Sequence, residues 1–537
     1  MRKIQKQGPP RTEIGSWIGP ESAIRSDPRG IKELLEDLTA PVFFLNGAGT
    51  LSAVNQGEVY STSASAGGRP LAAYLRPQRP ADFGDAGFLR DHGVSSPYMA
   101  GAMANGISGE ELVTTMGKAG YLASYGAGGV SPPRLQKALS RIKSELGEKP
   151  FAFNLIHSPH QAALEQATVD LYLQEDINTI EASAFLKMTP TLVQYRASGL
   201  RRDAQGRIQS DHKIIAKLSR REVALQFLEP APDKILRPLV AQGRITAQQA
   251  ELAASFPIAD DITVEADSGG HTDNRPLTSL LPSLMALRDE IQEKRAYPVS
   301  IRIGAAGGIG TPASALAAFS MGADYIVTGS VNQSCLEAAT SRRVKTLLAE
   351  AAATDVMMAP SADMFEMGVR VQVLKRGSMF PLRAQKLYEI YRQHESITEL
   401  APGVRTELEE KYFQRSLEEI WQECVQFFSQ HDPEQLQKAE HHPKRQMGLI
   451  FRWYLGLATH WGIQGDPQRA YDYQIWCGPS MGAFNDWARG TYLENPENRS
   501  VVTVADALLK GAAYLYRLTD LRLQGIRVPT AWNRLIS

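Results

Sequence analysis

The chain has 537 residues, 43% of them hydrophobic, and sets 58 Lys+Arg against 58 Asp+Glu for a formal net charge of zero. Such a length allows two or three domains, while zero net charge gives no long-range field for nucleic acid or an anionic membrane, so an acidic partner must be met by a local patch. Cys335, Cys424 and Cys477 lack metal-like spacing, which argues against a disulfide framework or a zinc site; no signal-like apolar segment or roughly 18-residue apolar run is found, so a cytoplasmic protein without a membrane span is expected.

Residues 1–90 mix turn residues with short β-like runs, PVFFLNG and RPLAAYLRP, and predict a β-rich cap. From about Val94 to Leu348 short apolar runs alternate with amphipathic stretches, the pattern of βα units. SPYMAGAM precedes SGEELVTTMGKAG, where Ser108 and Glu111 have capping-box spacing; YLASYGA precedes SPPRLQKALSRIKSEL, whose prolines suit a first helical turn. FAFNLI, TIEASA, KIIAKLS, DITVEADS, VSIRIGAAGG and DYIVTGS each lead into a helical stretch in the same way. Eight units predict an α/β fold, a (β/α)8 TIM barrel over residues 91–353, with the fifth connection enlarged around 220–258 into a helical lid. Residues 354–537 lose strand-like alternation and read as a helical C-terminal domain through LEEIWQECVQFFSQ, QMGLIFRWYLGLATHWG and VADALLKGAAYLYRLTDLRLQG.

In such a barrel the site is built at the carboxyl ends of the strands, with phosphate groups at the loops after strands seven and eight. Gly307 and Gly308 end the seventh strand and Gly329 and Ser330 end the eighth, so backbone N–H groups there can converge on an anion without a side-chain clash. A single glycine loop is often mere turn geometry, but two at one corner point to a phosphate cradle. A flat ring cofactor carried on that phosphate needs close backbone on one face and amide groups at its edge. The first-strand loop with Ala102, Met103 and Asn105 offers the former, and Asn154 at the end of the third strand offers an amide. Gly269 and Gly270 form a permissive turn before His271, and an imidazole at that face is suited to proton exchange near neutral pH. Glu181 and Lys187 are further groups in reach, and the arginines of YRASGLRRDAQGR, namely Arg196, Arg201, Arg202 and Arg207, are candidates for meeting an acidic partner at the barrel mouth.

AGAMANGIS, FNLIHSP, SGGHTDNRP and AAGGIGTP resemble the nitronate monooxygenase-like FMN barrels, which include flavin-type enoyl reductases. DVMMAPSADMFEMGVRVQVLKRGSMFPLRAQKLYEIY and DYQIWCGPSMGAFNDW resemble the PfaD family, the trans-acting enoyl reductases of polyunsaturated fatty acid and polyketide synthases. The resemblance implies FMN as bound cofactor, NADPH as hydride source, an α,β-unsaturated thioester on an acyl carrier protein as substrate, and carrier domains of a synthase as partners, with a homodimer left open. By motif match, Gly307, Gly308, Gly329 and Ser330 would take the flavin phosphate, Ala102, Met103 and Asn154 would face the ring or ribityl chain, and His271 would be the active-site histidine; Asn105, Gly269 and Gly270 complete the expected cofactor-binding set, with no metal.

Three alternatives compete with this reading. A nitronate monooxygenase would share barrel, FMN and histidine but pass electrons to oxygen. An inosinate-type dehydrogenase would need a cysteine nucleophile inside the barrel, where none lies. A non-catalytic scaffold would hold no reducible flavin.

Overall fold

The computed structural model describes residues 15–46, 51–60, 68–157 and 162–535; residues 158–161, part of the FNLIHSP and following helical segment, lie outside them. Near the amino terminus five strands, β1 (Ser16–Ile18), β2 (Val42–Asn46), β3 (Leu51–Val54), β4 (Glu58–Tyr60) and β5 (Arg69–Leu75), form an antiparallel sheet in the order β3-β2-β5-β1-β4. Trp17, Phe43, Leu45, Val54 and Leu71 make its core, and the Trp17 indole N–H reaches the Gln56 carbonyl at 2.8 Å, so the polar end of the buried ring is satisfied.

The eight expected barrel strands all form: β6 (Tyr98–Ala100), β7 (Leu122–Tyr125), β8 (Ala152–Ile156), β9 (Thr179–Ser183), β12 (Lys213–Leu218), β13 (Asp261–Glu265), β15 (Arg302–Ala306) and β16 (Ile326–Thr328). They close in the order β12-β13-β15-β16-β6-β7-β8-β9, and the ladders from β6 through β9, β12 and β13 to β15 are parallel. Runs such as AFNLI and RIGAA are buried almost throughout, as strands covered on both faces must be. At the amino ends the buried Arg302–Asp261 pair ties β15 to β13.

Three expectations change. The hairpin of β10 (Leu200–Arg202) and β11 (Ile208–Ser210) lies between helix Pro190–Ser198 and the start of β12, so it sits at the amino-terminal face of the barrel, away from the mouth. Arg196 is buried there: its guanidinium bonds Asp260, Ser210 Oγ and the His212 carbonyl, all within 2.9 Å, while Arg201 pairs with Asp211, Arg202 with Glu251 and Arg207 with Asp203. These arginines are therefore structural and not a docking patch at the mouth. The insertion forms helices Arg221–Leu228, Asp233–Ala241 and Ala247–Ala253, but the last two lie along the outer wall, where Leu236, Leu239 and Leu252 are buried, Arg244 pairs with Asp170 and Gln249 caps the Ser198 carbonyl. They form no lid over the strand ends. Beyond residue 353 strands do occur: β17 (Val356–Pro360) and β18 (Arg370–Leu374) pair antiparallel, and β14 (Gly270–His271) joins β18 to make a three-stranded sheet. RVQVL is short and half-polar, which hides its alternation, yet Val371, Val373 and Leu374 are buried.

By compactness the chain divides into residues 1–98, 310–326 and 502–537, and residues 99–309 with 327–501. In the first unit the carboxyl-terminal helix returns to the amino-terminal segment: the buried Arg517 guanidinium donates to the carbonyls of Leu35, Asp37, Leu38, Ala40 and Arg76. The second unit holds all the candidate site residues. No described helix is long and apolar enough to cross a membrane.

Candidate active site

The carboxyl ends of β15 and β16 carry the glycines the sequence singles out. Gly307 and Gly308 both have left-handed backbone, φ +79° and +75°, which glycine adopts without strain. Their surroundings differ. A Cβ on Gly307 would fall 2.6 Å from the Ala266 carbonyl carbon, whereas at Gly308 and Gly329 it would meet nothing within 4 Å beyond the chain neighbours. Gly307 is thus a point of close chain approach, and Gly308 and Gly329 border open space. The Ser330 hydroxyl beside them accepts from the Gly478 N–H at 3.0 Å.

The loop after β6 is anchored from below. Ala102 N–H donates to Glu181 Oε2 at 2.8 Å and Met103 N–H to Ser108 Oγ at 2.8 Å, leaving both residues half-buried. Asn105, at φ +57°, donates its N–H to the Gly128 carbonyl at 2.6 Å, so its strained backbone serves to join this loop to the one after β7. Asn154 is buried with its amide donating to the Glu181 carbonyl at 2.9 Å and Ser183 Oγ at 3.0 Å, which orders the ends of β8 and β9. Lys187 is exposed.

Glu181 is 1% exposed, and burial pushes its carboxyl above the usual carboxylate range despite Lys217 and the Ala102 N–H. Burial alone would lower the Lys217 ammonium, but Glu265 at 3.0 Å and Glu181 more than offset this and raise it. This buried charge cluster joins the ends of β9, β12 and β13 beneath the loops.

Gly269 packs against the chain: its Cβ would lie 2.8 Å from the Cys477 nitrogen, so it admits segment 476–478 at the mouth. Next to it Gly270 and His271 form β14. Gln372 of β18 holds this turn, its amide donating to Asp267 Oδ1 at 2.6 Å and the Ser268 carbonyl at 2.7 Å. The His271 side chain stays 43% exposed, with Nε2 3.3 Å from Asp363 Oδ1 and 3.5 Å from Ser361 Oγ. Sequence reasoning missed Ser361, Asp363, Gln372 and the Cys477–Gly478 backbone. Their signal was a Ser-Ala-Asp placed just after the apolar VMMAP, which becomes meaningful only once β18 pairs with β14.

Residues 89–412, more than half of the chain, match the family described as nitronate monooxygenase. Residues 17–77 match the fatty acid synthase subunit PfaD N-terminal domain, and residues 394–473 the inserted helical domain of [acyl-carrier-protein] S-malonyltransferase. The chain is 48% identical over 458 residues to a polyunsaturated fatty acid synthase subunit of Thraustochytrium sp., covering 84% of this chain and 31% of that protein. It is 44% identical over 453 residues to polyketide biosynthesis protein PksE of Bacillus subtilis, covering 83% of this chain and 59% of that protein. It therefore spans about a third and about three-fifths of these two curated relatives. Among solved structures it resembles the enoyl reductase domain of MlnA, from the macrolactin biosynthesis cluster of Bacillus amyloliquefaciens, at 40% identity and TM-score 0.78, covering 82% of this chain and 99% of that chain. On a family match that spans the whole barrel, with its amino-terminal extension matched separately, the chain belongs to the nitronate monooxygenase family of barrel oxidoreductases, in its PfaD branch.

Proposed function

We propose that the protein is a trans-acting enoyl reductase that saturates α,β-unsaturated acyl thioesters on acyl carrier protein domains of a polyketide or polyunsaturated fatty acid synthase. The observation that carries this reading is a barrel mouth that joins an open glycine cradle, at Gly308 and Gly329, to a partly exposed imidazole on a pinned two-residue strand. The likeness to an enoyl reductase domain supports it.

Gly308, Gly329 and Ser330, at bare backbone open to ligand approach, would hold the phosphate of FMN, and the Ala102–Met103 backbone, carried on Glu181 and Ser108, would face the rest of the cofactor. When bound, FMN supplies the hydride for the β-carbon, taken from NADPH. His271 gives a proton to the α-carbon, so that the C=C π bond is replaced by two C–H bonds, and regains its proton from solvent. Gln372 fixes the turn on which His271 stands, and segment 476–478, packed on Gly269, narrows the mouth against water.

The test is direct. The purified protein should release FMN on heating and convert NADPH plus a crotonyl thioester to the saturated product by mass. Released FAD, or a reduced flavin that only oxygen reoxidises, would overturn the reading, the latter in favour of nitronate-type chemistry.

A further inference from the structure

Asp363 stands in a loop the proposed chemistry does not use. The loop runs from β17 to β18 and is closed by the Ser361 N–H donating to the Val369 carbonyl at 2.9 Å. Phe365 anchors it: fully buried, it packs at 5.2 to 6.3 Å between ring centroids on Tyr391, Tyr388 and Phe451. Glu366 adds a second anchor through Arg445 at 2.8 Å and Arg452 at 3.4 Å. The helices Phe380–Gln393 and Pro443–Gln464, which supply these partners, therefore hold the loop against the end of β14. Asp363 receives the Ser361 hydroxyl and faces Nε2 of His271 at 3.3 Å.

We propose that Asp363 is a positioning residue for His271: it holds the ring with its proton on Nε2, so that Nδ1 is the nitrogen that delivers a proton to the α-carbon. The two ring nitrogens are distinct, and the partner of one sets the role of the other. A carboxylate can only accept, so Asp363 at 3.3 Å favours the tautomer with N–H on Nε2, and the neutral ring then carries its free lone pair on Nδ1. Protonation from solvent occurs at Nδ1, the same nitrogen releases the proton to carbon, and the ring returns to its starting tautomer without turning. The Asp363 side chain is 59% exposed, and its contacts with the His271 ring and the Ser361 hydroxyl hold its carboxyl down, at about 2. Asp363 is therefore an anion under any assay condition near neutral pH. This role rests on the enoyl reductase reading; the hold on the ring does not.

Holoenzyme of this chain labelled with ¹⁵N-histidine tests both. Ten histidines give few signals, and the His271→Ala spectrum assigns the one of interest. The wild type should show His271 as the Nε2–H tautomer, Asp363→Glu should retain it, and Asp363→Asn, whose amide can also donate, should shift the ring toward Nδ1–H. In stopped-flow traces Asp363→Asn should slow reoxidation of the reduced flavin by a crotonyl thioester by on the order of 10²-fold, a positioned acid's usual share of the rate. Flavin content and reduction by NADPH should not change. Asp363→Glu should recover most of the loss, and adding Asp363→Asn to His271→Ala should cost nothing further. An unchanged tautomer in Asp363→Asn, or an equal slowing in the His271→Ala background, would overturn the proposal. If the thioester does not reoxidise the wild-type flavin, the enoyl reductase reading fails on its own, and the ¹⁵N spectra still decide whether Asp363 sets the ring.

Discussion

Gly307 and Gly308 look alike in the sequence and differ in what a side chain would meet. Both share left-handed backbone, so alanine at either costs about 1–2 kcal/mol in conformation alone. At Gly307 the new Cβ also runs into the Ala266 backbone, and the total should reach about 3 kcal/mol or more because the core cannot yield. At Gly308 it enters the open cradle. We expect Gly308→Ala to melt near the wild type but to lose bound flavin, and Gly307→Ala to lose stability first; thermal melts paired with flavin content distinguish the two. A Gly308→Ala protein with full flavin content would place the phosphate elsewhere. The glycine run was legible as bare backbone at the strand ends, but which glycine borders open space and which packs against the end of β13 depends on the twist of neighbouring strands. His271 was legible for its residue type. Asp363, 92 positions on, was not, because nothing local links the two.

At the scale of elements, all eight barrel strands could be read because each is a short apolar run before a helix, and burial on both faces leaves little room for polar residues. The hairpin of β10 and β11 shows the limit of that reading. Its arginines follow the fourth strand in sequence, which suggests the mouth, but the intervening helix carries the chain back to the amino ends. Arg201 and Arg202 are half-exposed and paired, so reversing both to glutamate should cost only about 0–1 kcal/mol per pair and leave KM for a carrier-bound thioester unchanged. Arg196→Met, by contrast, leaves the largely buried Asp260 with only the Ile214 N–H and Lys213 at 3.9 Å and takes the donor from the Pro257 and His212 carbonyls, and should cost about 3 kcal/mol. Urea denaturation and carrier-substrate kinetics on the two variants separate the cases. A raised KM in the double reversal would restore the hairpin as a docking element.

Across the whole molecule, the amino-terminal sheet and the carboxyl-terminal helix are far apart in sequence and close in space. Arg517 makes the join, and its loss would take this donor from the carbonyls of Leu35, Asp37, Ala40 and Arg76, while Leu38 keeps the Gln78 N–H at 2.9 Å. We expect Arg517→Met to destabilise the protein by about 3 kcal/mol or more, since each unsatisfied buried acceptor bears a desolvation cost. A loss below about 1 kcal/mol in chemical denaturation would show that water replaces the guanidinium. By itself the sequence determined the barrel, the amino-terminal β-rich segment, the helical character of most of the last third, and the glycines and histidine at the mouth. Each of these follows from local periodicity or from the chemistry of one residue type. Only the tertiary structure decided that β18 pairs with β14, that Asp363 reaches His271, that segment 476–478 packs on Gly269, and that the insertion lies along the wall. These are meetings between segments with no shared period, settled by which apolar faces remain to be covered once the barrel has closed.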